Sequence, residues 1–513
     1  MKQHRLLSAA FAVMVANLLL KLTGLLRTMA LASTYGIGVE ADAFNVAFTV
    51  PSIALAMIGA SVASSFIPMY HRVETDKRRF VSNVLSCVSL IGVLFSVLFF
   101  IFPQALAYIF ASQLEPETFN LAVPLIRVMV LGAMPILAAD ILRSYLQLKN
   151  SFFLALAASL PINIATIAGI LISKPAGALI YMSWGSVLGN VLAVTLLFAL
   201  CRREEFYYTP VLAPRAPEFR GLLVILSPVI LATAVAEINQ IVDRNFASSL
   251  PTGAFSALDF ANRTTSFINS IVGVSLVTAL FPRLSALATS GDLESMKKQI
   301  MGVVRRLVPF MIPVTVGIVA MAQPCIRIFL ERGEFTRADT LITAECLSMY
   351  ALMLLPLSLN PLLVRGFYAT QHTKTPAIIS ACTVAVNIAL NFAFIGPLQH
   401  RGLALATAIA AFLNMILLAL WLRRRLGSLG LAWREMAKVG AASLIMGAAA
   451  VAGNHFLPVM SGGTLQCLAL TLGIILVCAA LYAALLALMR AEIISEAAEL
   501  IKNLKGRISK KAG

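Results

Sequence analysis

Apolar residues in this chain come in runs of about 20 or more, the length that carries a helix across about 30 Å of hydrocarbon. The runs occupy residues 7–34, 42–70, 80–111, 118–147, 151–173, 176–201, 218–248, 252–288, 298–322, 338–366, 376–397, 401–423, 435–458 and 463–489, separated by short stretches of Gly, Pro and charge. Alternation with period two is absent. Only helices and closed barrels satisfy their backbone in lipid, so the pattern predicts an all-α polytopic membrane protein of about fourteen transmembrane helices. The longer runs predict helices that tilt or extend beyond the bilayer.

Polar residues inside the runs are spaced by three and four, which keeps each set on one helix face. Span one carries Asn17, Lys21, Gly24 and Thr28, with Arg27 one step around from Thr28. Span two carries Asp42, Asn45, Thr49 and Ser52; span seven carries Thr233, Glu237, Gln240 and Arg244, beside Asp243. Span eight carries Ser256, Asp259, Asn262, Arg263, Ser266 and Ser270. An ionisable group within a span costs about 2.5–3.5 kcal/mol on insertion scales, so it faces a cavity or a partner. The stripes predict a cavity lined by Asn17, Asn45, Thr49, Glu237, Gln240, Asp259, Asn262 and Ser266, with Lys21, Arg27 and Arg263 as its basic groups. Arg suits phosphate through its bidentate fork and Lys acts as a point charge, so the expected ligand is an anion. Structural readings stand beside this one: Arg27 snorkels to the interface, Arg263 pairs with Asp259 or Glu237 as glue, and Asp42 serves the dipole at a helix start. The Asn and Ser residues also suit ordinary interhelical hydrogen bonds.

The chain repeats itself. Asp42-Ala-Phe-Asn-Val-Ala-Phe opens span two, and Ser256-Ala-Leu-Asp-Phe-Ala-Asn opens span eight, 214 positions later; Gly59 matches Gly273 and Pro68 matches Pro282 at the same offset. Arg143 then matches Arg365, Asn163 matches Asn387, Gly177 matches Gly402 and Asn190 matches Asn414, the offset drifting to 225. A six-span repeat is even, so both copies enter the membrane the same way, as parallel repeats of transporters do. The expected organisation is an N-lobe over 1–203, a linker over 204–217, a C-lobe over 218–425, an unpaired helix pair over 426–489 and a basic tail over 490–513.

Hydrophobic residues make up 59% of 513 positions and charged residues 12%, with a mean hydropathy of +0.89, too little charge to cover a soluble protein of this size. The net charge of +17 would suggest nucleic acid in a soluble domain. Here Lys and Arg gather in alternate loops, around Arg72–Arg79, Arg202–Arg220 and Arg423–Arg434 and in the tail, which the positive-inside rule explains with no nucleic acid and with both termini cytoplasmic. The loop with Arg327, Arg332 and Arg337 is the exception, and acidic residues are mixed into it. No small-residue cleavage site follows the first run, which speaks against a removable signal peptide. The seven Cys show no CxxC pairing and read as packing residues, and the five His are scattered. No Walker loop, GxSxG or HExxH occurs, so the expectation is a non-enzyme with no metal and no cofactor.

Five strings are more specific. Asp42-Ala-Phe-Asn-Val-Ala-Phe-Thr-Val-Pro, Val242-Asp-Arg-Asn-Phe-Ala-Ser-Ser-Leu-Pro, Phe329-Leu-Glu-Arg-Gly-Glu-Phe, Phe367-Tyr-Ala-Thr-Gln-His-Thr-Lys-Thr-Pro and Gly402-Leu-Ala-Leu-Ala-Thr resemble the MurJ (MviN) family, within the multidrug/oligosaccharidyl-lipid/polysaccharide exporter superfamily. The resemblance implies fourteen helices in two lobes with a V-shaped opening, a cationic cavity and a groove from the last two helices for a polyprenyl tail. The implied activity is lipid II flipping: undecaprenyl-diphosphate carrying the peptidoglycan precursor passes from the inner to the outer leaflet of the cytoplasmic membrane. It also implies a substrate-binding set of Lys21, Arg27, Asp42 and Arg263, since Arg27 and Asp42 fall on family positions, Lys21 replaces a frequent Arg, and Arg263 matches the Arg of an Ala-Asn/Asp-Arg motif. Three positions depart from the pattern. Thr28 replaces the usual Asp, Pro51-Ser-Ile-Ala-Leu-Ala removes an Arg near Leu55, and Ser266 replaces a frequent Glu. Expected partners are the lipid-linked anionic glycan, membrane lipid and cell-wall synthesis proteins. Competing functions are a flippase for another polyprenyl-linked glycan, a cation-coupled small-molecule exporter using Asp42, Asp259 and Glu237, and a non-transporting scaffold.

Overall fold

The computed structural model describes residues 2–74, 76–271, 293–369, 372, 374–427, 433–457 and 459–492. Every regular element among them is helical, which the unbroken apolar runs require once the backbone must satisfy itself in lipid. In order these are α1 (Lys2–Tyr35), α2 (Val39–Arg72), α3 (Lys77–Ile101), α4 (Pro103–Phe110), α5 (Pro116–Met129), α6 (Ala133–Leu148), α7 (Phe152–Ala157), α8 (Leu160–Ser173), α9 (Ile180–Arg203), α10 (Pro217–Ser248) and α11 (Ala254–Asn269). The rest are α12 (Leu293–Ala320), α13 (Ala322–Leu330), α14 (Arg337–Ala351), α15 (Leu354–Ala369), α16 (Lys374–Leu426), α17 (Trp433–Phe456) and α18 (Thr464–Leu488).

Among the described residues, eleven helical stretches are long and apolar enough to cross a membrane. One of them, α16, holds the eleventh and twelfth predicted runs, joined through a bend where Gln399 takes φ 48° and ψ −129°. The seventh run is α10 and the eighth begins as α11; the remainder of the eighth, with Gly273 and Pro282, lies outside the described residues. The third run, expected as one helix over 80–111, is two. Pro103 lacks an N–H and disfavours helix in the residue before it, so α3 stops at Ile101, Phe102 takes φ −118° and ψ 57°, and α4 starts on the proline. The fourth run passes through a single 3₁₀ turn at Val130–Gly132 between α5 and α6.

The chain divides into two compact units. One comprises Met1–Ser270, Leu330–Thr343 and Ser380–Ala406; the other comprises Ile271–Phe329, Ala344–Ile379 and Thr407–Gly513. In the first, Leu55, Phe66, Phe80, Leu137, Leu142 and Leu197 are buried together, with the rings of Phe66 and Phe80 stacked 5.8 Å apart. Its α8 and α9 pack backbone to backbone: a Cβ on Gly169 would sit 3.1 Å from the Cα of Gly185, and one on Gly185 would sit 3.0 Å from the Cα of Gly169. Small residues are what let helices approach this closely in lipid. The second unit has its own core of Met296, Ile300, Leu307, Leu362, Phe367 and Leu422, and Tyr482 Oη donates to the carbonyl of Pro309 at 2.6 Å.

All seven cysteines are free.

Candidate functional site

Four helices of the first unit turn their polar stripes onto one hollow of about 530 Å³. From α1 come Lys21, Gly24 and Arg27; from α2, Phe48, Thr49 and Ser52. From α10 come Glu237, Gln240 and Arg244, and from α11, Asp259, Asn262, Arg263 and Ser266, while Asn163 of α8 completes the wall. Spacing by three and four makes this possible, because each helix contributes several turns of one face.

Asp259 is the electrostatic hub. Its carboxylate is 3% exposed; one oxygen accepts from Arg244 Nη2 at 2.9 Å and the other accepts from Arg263 Nε. A buried carboxylate needs such partners, because an unpaired charge out of water is strongly unfavourable. The pairing of Arg263 with Asp259 is therefore present, and Arg263 also lines the hollow. It engages Asp259 through Nε, and its remaining N–H groups have no hydrogen-bond acceptor among the described residues. Arg27 does not run out to the interface: it is 6% exposed, donates to Asn163 Oδ1 at 3.2 Å and lies 4.0 Å over the ring of Phe48. The Asn163 amide is held in turn, donating to Thr23 Oγ1 at 3.0 Å. Arg263 sits 6.0 Å from the centroid of the same Phe48 ring. Lys21 makes no hydrogen bond or ion pair among the described residues, and Glu237 accepts from Gln240 Nε2 at 2.8 Å.

Of the residues singled out by sequence, Lys21, Arg27, Arg263, Thr49, Glu237, Gln240, Asp259, Asn262 and Ser266 come together here. Asp42, Asn45 and Asn17 are not part of the hollow's lining. Asp42, 3% exposed, accepts from the amides of Gly253 at 2.7 Å and Ser256 at 2.8 Å. Those are two of the amides at the N-terminus of α11 that lack an intrahelical acceptor, and its own N-cap, Gly253 at φ +92°, has no side chain to offer. Asn45 donates to Ser256 Oγ at 3.0 Å beside it, and Asn17 donates to the carbonyl of Val13 one turn back on α1. Asp42 thus serves a helix start, as one sequence reading held, but the helix is α11 rather than its own.

Arg244, Asn163 and Phe48 are also in the wall, beyond the candidate residues that the sequence marks out. The signal for Arg244 is its place on the polar stripe of span seven with Glu237 and Gln240. The two buried carboxylates are used differently: Asp259 holds Arg244 and Arg263, whereas Asp42 holds a helix N-terminus. Asn163 was visible only as a repeat match, and nothing in the pattern distinguishes Phe48 from a core aromatic.

Among the described residues no group of three or more His, Cys, Asp or Glu is arranged to hold a metal ion. A hollow of several cations with two carboxylates suits a multivalent anion with hydrogen-bonding groups attached.

A family model described as lipid II flippase MurJ matches residues 31–485. A probable lipid II flippase MurJ of Rickettsia prowazekii (strain Madrid E) is 28% identical over 420 residues, covering 80% of this chain and 81% of the relative. Among solved structures, lipid II flippase MurJ in an inward closed conformation superposes with a TM-score of 0.81 at 25% identity, covering 94% of this chain and 99% of that one. An inward-facing multidrug resistance MATE transporter of the MOP superfamily matches with a TM-score of 0.66 at 18% identity over 79% of this chain and 95% of its own, a likeness of fold alone.

Proposed function

The chain belongs to the lipid II flippase MurJ family, and from that premise we propose that it carries undecaprenyl-diphosphate-linked peptidoglycan precursor from the inner to the outer leaflet by alternating access. The family is one of bacterial inner-membrane transporters, and the apolar helices suit a multi-pass membrane protein. The observation that carries the reading to particular residues is the cationic hollow: Lys21, Arg27, Arg244 and Arg263 line one space inside an otherwise apolar set of helices. The cargo's headgroup is too polar to cross hydrocarbon unaided, while its polyprenyl tail can stay in lipid throughout. A protein serving it needs a wet, cationic chamber for the diphosphate and glycan only.

In this reading Arg27 and Arg263 take the diphosphate oxygens through their N–H forks and Lys21 adds a mobile point charge. Arg27 is preset by Asn163 and Phe48, so little side-chain entropy is lost on binding. Glu237, Gln240, Asn262 and Ser266 supply hydrogen bonds to the glycan, and Thr49 extends the wall. The charge pattern of the loops supports cytoplasmic termini, which puts the starts of α2 and α11 at the outer end. The Asp42 tie to α11 then acts on the outer side of the hollow, as part of the seal that alternates as the N-lobe (1–203) and C-lobe (218–425) rock.

A strain depleted of its own flippase tests this. Arg263→Ala is expected to abolish complementation and to remove lipid II from the outer leaflet in a surface-labelling assay, with protein levels unchanged. Full complementation by the variant at normal expression argues against the phosphate-binding role.

A further inference from the structure

We propose that Asp259 is a built-in counter-charge that sets the hollow's net charge to match a diphosphate, a specificity-determining residue resting on the carrier reading above. Among the described residues, the hollow's charged lining consists of four cations, Lys21, Arg27, Arg244 and Arg263, against two carboxylates, Glu237 and Asp259. The surplus is two positive charges. A polyprenyl diphosphate joined to a sugar carries two negative charges at its linkage, and a polyprenyl monophosphate joined to a sugar carries one. The surplus therefore equals the charge of the first class of lipid and exceeds that of the second.

Asp259 is placed to do this without obstructing the ligand. Its carboxylate is buried behind the two arginines it holds, while those arginines are partly exposed, with side-chain exposures of 18% for Arg244 and 29% for Arg263. Arg263 spends Nε on the carboxylate and keeps its two Nη groups, and Arg244 spends Nη2 alone. An entering anion meets guanidiniums that are already oriented and already half neutralised. A carrier has to release its cargo, and a site too positive would hold it, so a fixed carboxylate beside the binding groups keeps affinity within reach of release. Asp42, the other buried carboxylate of these helices, spends its oxygens on backbone amides instead.

Removing a carboxylate that merely held the fold together would loosen the arginines and weaken binding. Removing a counter-charge raises the local positive potential, and its action on a doubly charged ligand outweighs the loss of side-chain order. The sign of the effect therefore separates the two roles. The purified full chain in nanodiscs is titrated with a sugar-linked undecaprenyl diphosphate and, separately, a sugar-linked undecaprenyl monophosphate, and turnover is followed with lipid II in proteoliposomes. Asp259→Asn is expected to bind the diphosphate lipid about tenfold more tightly, the scale of one charge-assisted hydrogen bond, and to translocate lipid II more slowly. Asp259→Asn combined with Arg244→Gln restores the surplus of two and is expected to return affinity towards that of the unaltered protein. Equal or weaker diphosphate binding by folded Asp259→Asn overturns the inference.

Arg244→Gln alone keeps the Asp259–Arg263 pair and tests the idea even where the first variant fails to fold. It is expected to lose about tenfold in diphosphate affinity while monophosphate affinity changes much less; equal losses for both lipids overturn the inference. An unaltered protein that binds neither lipid instead removes the carrier reading on which this one stands, so the two failures are distinguishable.

Discussion

Asp42 shows how one carboxylate can fix the start of another helix. It takes the Gly253 and Ser256 amides, which α11 cannot satisfy with its own glycine cap. Asp42→Ala leaves both donors buried and unpaired, and the expected loss is about 2 kcal/mol of stability, read as a lowered thermal unfolding midpoint in detergent. Unchanged unfolding would mean that water or a neighbour replaces the carboxylate at no cost. Arg27 makes a related point, because its place depends on Asn163 and Phe48 from two other helices. The sequence put a cation in α1 at the right turn; only packing decided that it stacks inward instead of reaching for the interface.

At the scale of elements, two contacts have measurable consequences. α8 and α9 touch through Gly169 and Gly185, where a side chain on either would meet backbone. Gly185→Val is expected to cost about 1–3 kcal/mol in thermal unfolding, because backbone cannot move aside as a side chain can. Gly473→Ala in α18, where an added Cβ meets nothing within 4 Å, is the matched control and should leave stability unchanged or raised. The turn between α13 and α14 packs on the end of α1: Gly333, at φ +62°, lies against the Ser33 carbonyl, which accepts from the Glu334 amide at 3.0 Å. Lys174, just past α8, donates to Glu334 at 2.7 Å and holds that carboxyl below the usual carboxylate range. A lowered carboxyl value stabilises the folded form above the ordinary carboxylate range, and that share disappears as pH falls through the lowered value. The unfolding midpoint should therefore fall on acidification through the acid range, and Glu334→Gln should remove that part of the pH dependence. Equal slopes for both proteins would show that the exposed pair contributes nothing, as many surface pairs do.

For the molecule as a whole, the proposed rocking requires the starts of α2 and α11 to part. Asn45 and Ser256 are in hydrogen-bond contact there, 3.0 Å apart. In a background without the native cysteines, Asn45→Cys with Ser256→Cys is expected to stop lipid II translocation on oxidation and to regain it on reduction. Translocation at the unaltered rate by the cross-linked protein would exclude opening at this point.

Helical class, membrane residence, the places of most helices and the faces that carry polar groups were all legible in the sequence. Lipid offers no alternative partner for a backbone amide, so run length and spacing by three and four leave few choices. The polar stripes of α1, α2, α10 and α11 foretold a shared hollow, and Lys21, Arg27 and Arg263 do line it. What each charge touches was settled by tertiary structure alone. Asp42 and Asp259 are both carboxylates near the start of a polar stripe, yet one meets a helix N-terminus and the other two guanidiniums. Arg244 enters the wall by the same route, because a stripe fixes a direction around a helix axis but not the neighbour met at that height. Contacts between helices distant in sequence depend on crossing angle and depth, and no local spacing encodes either.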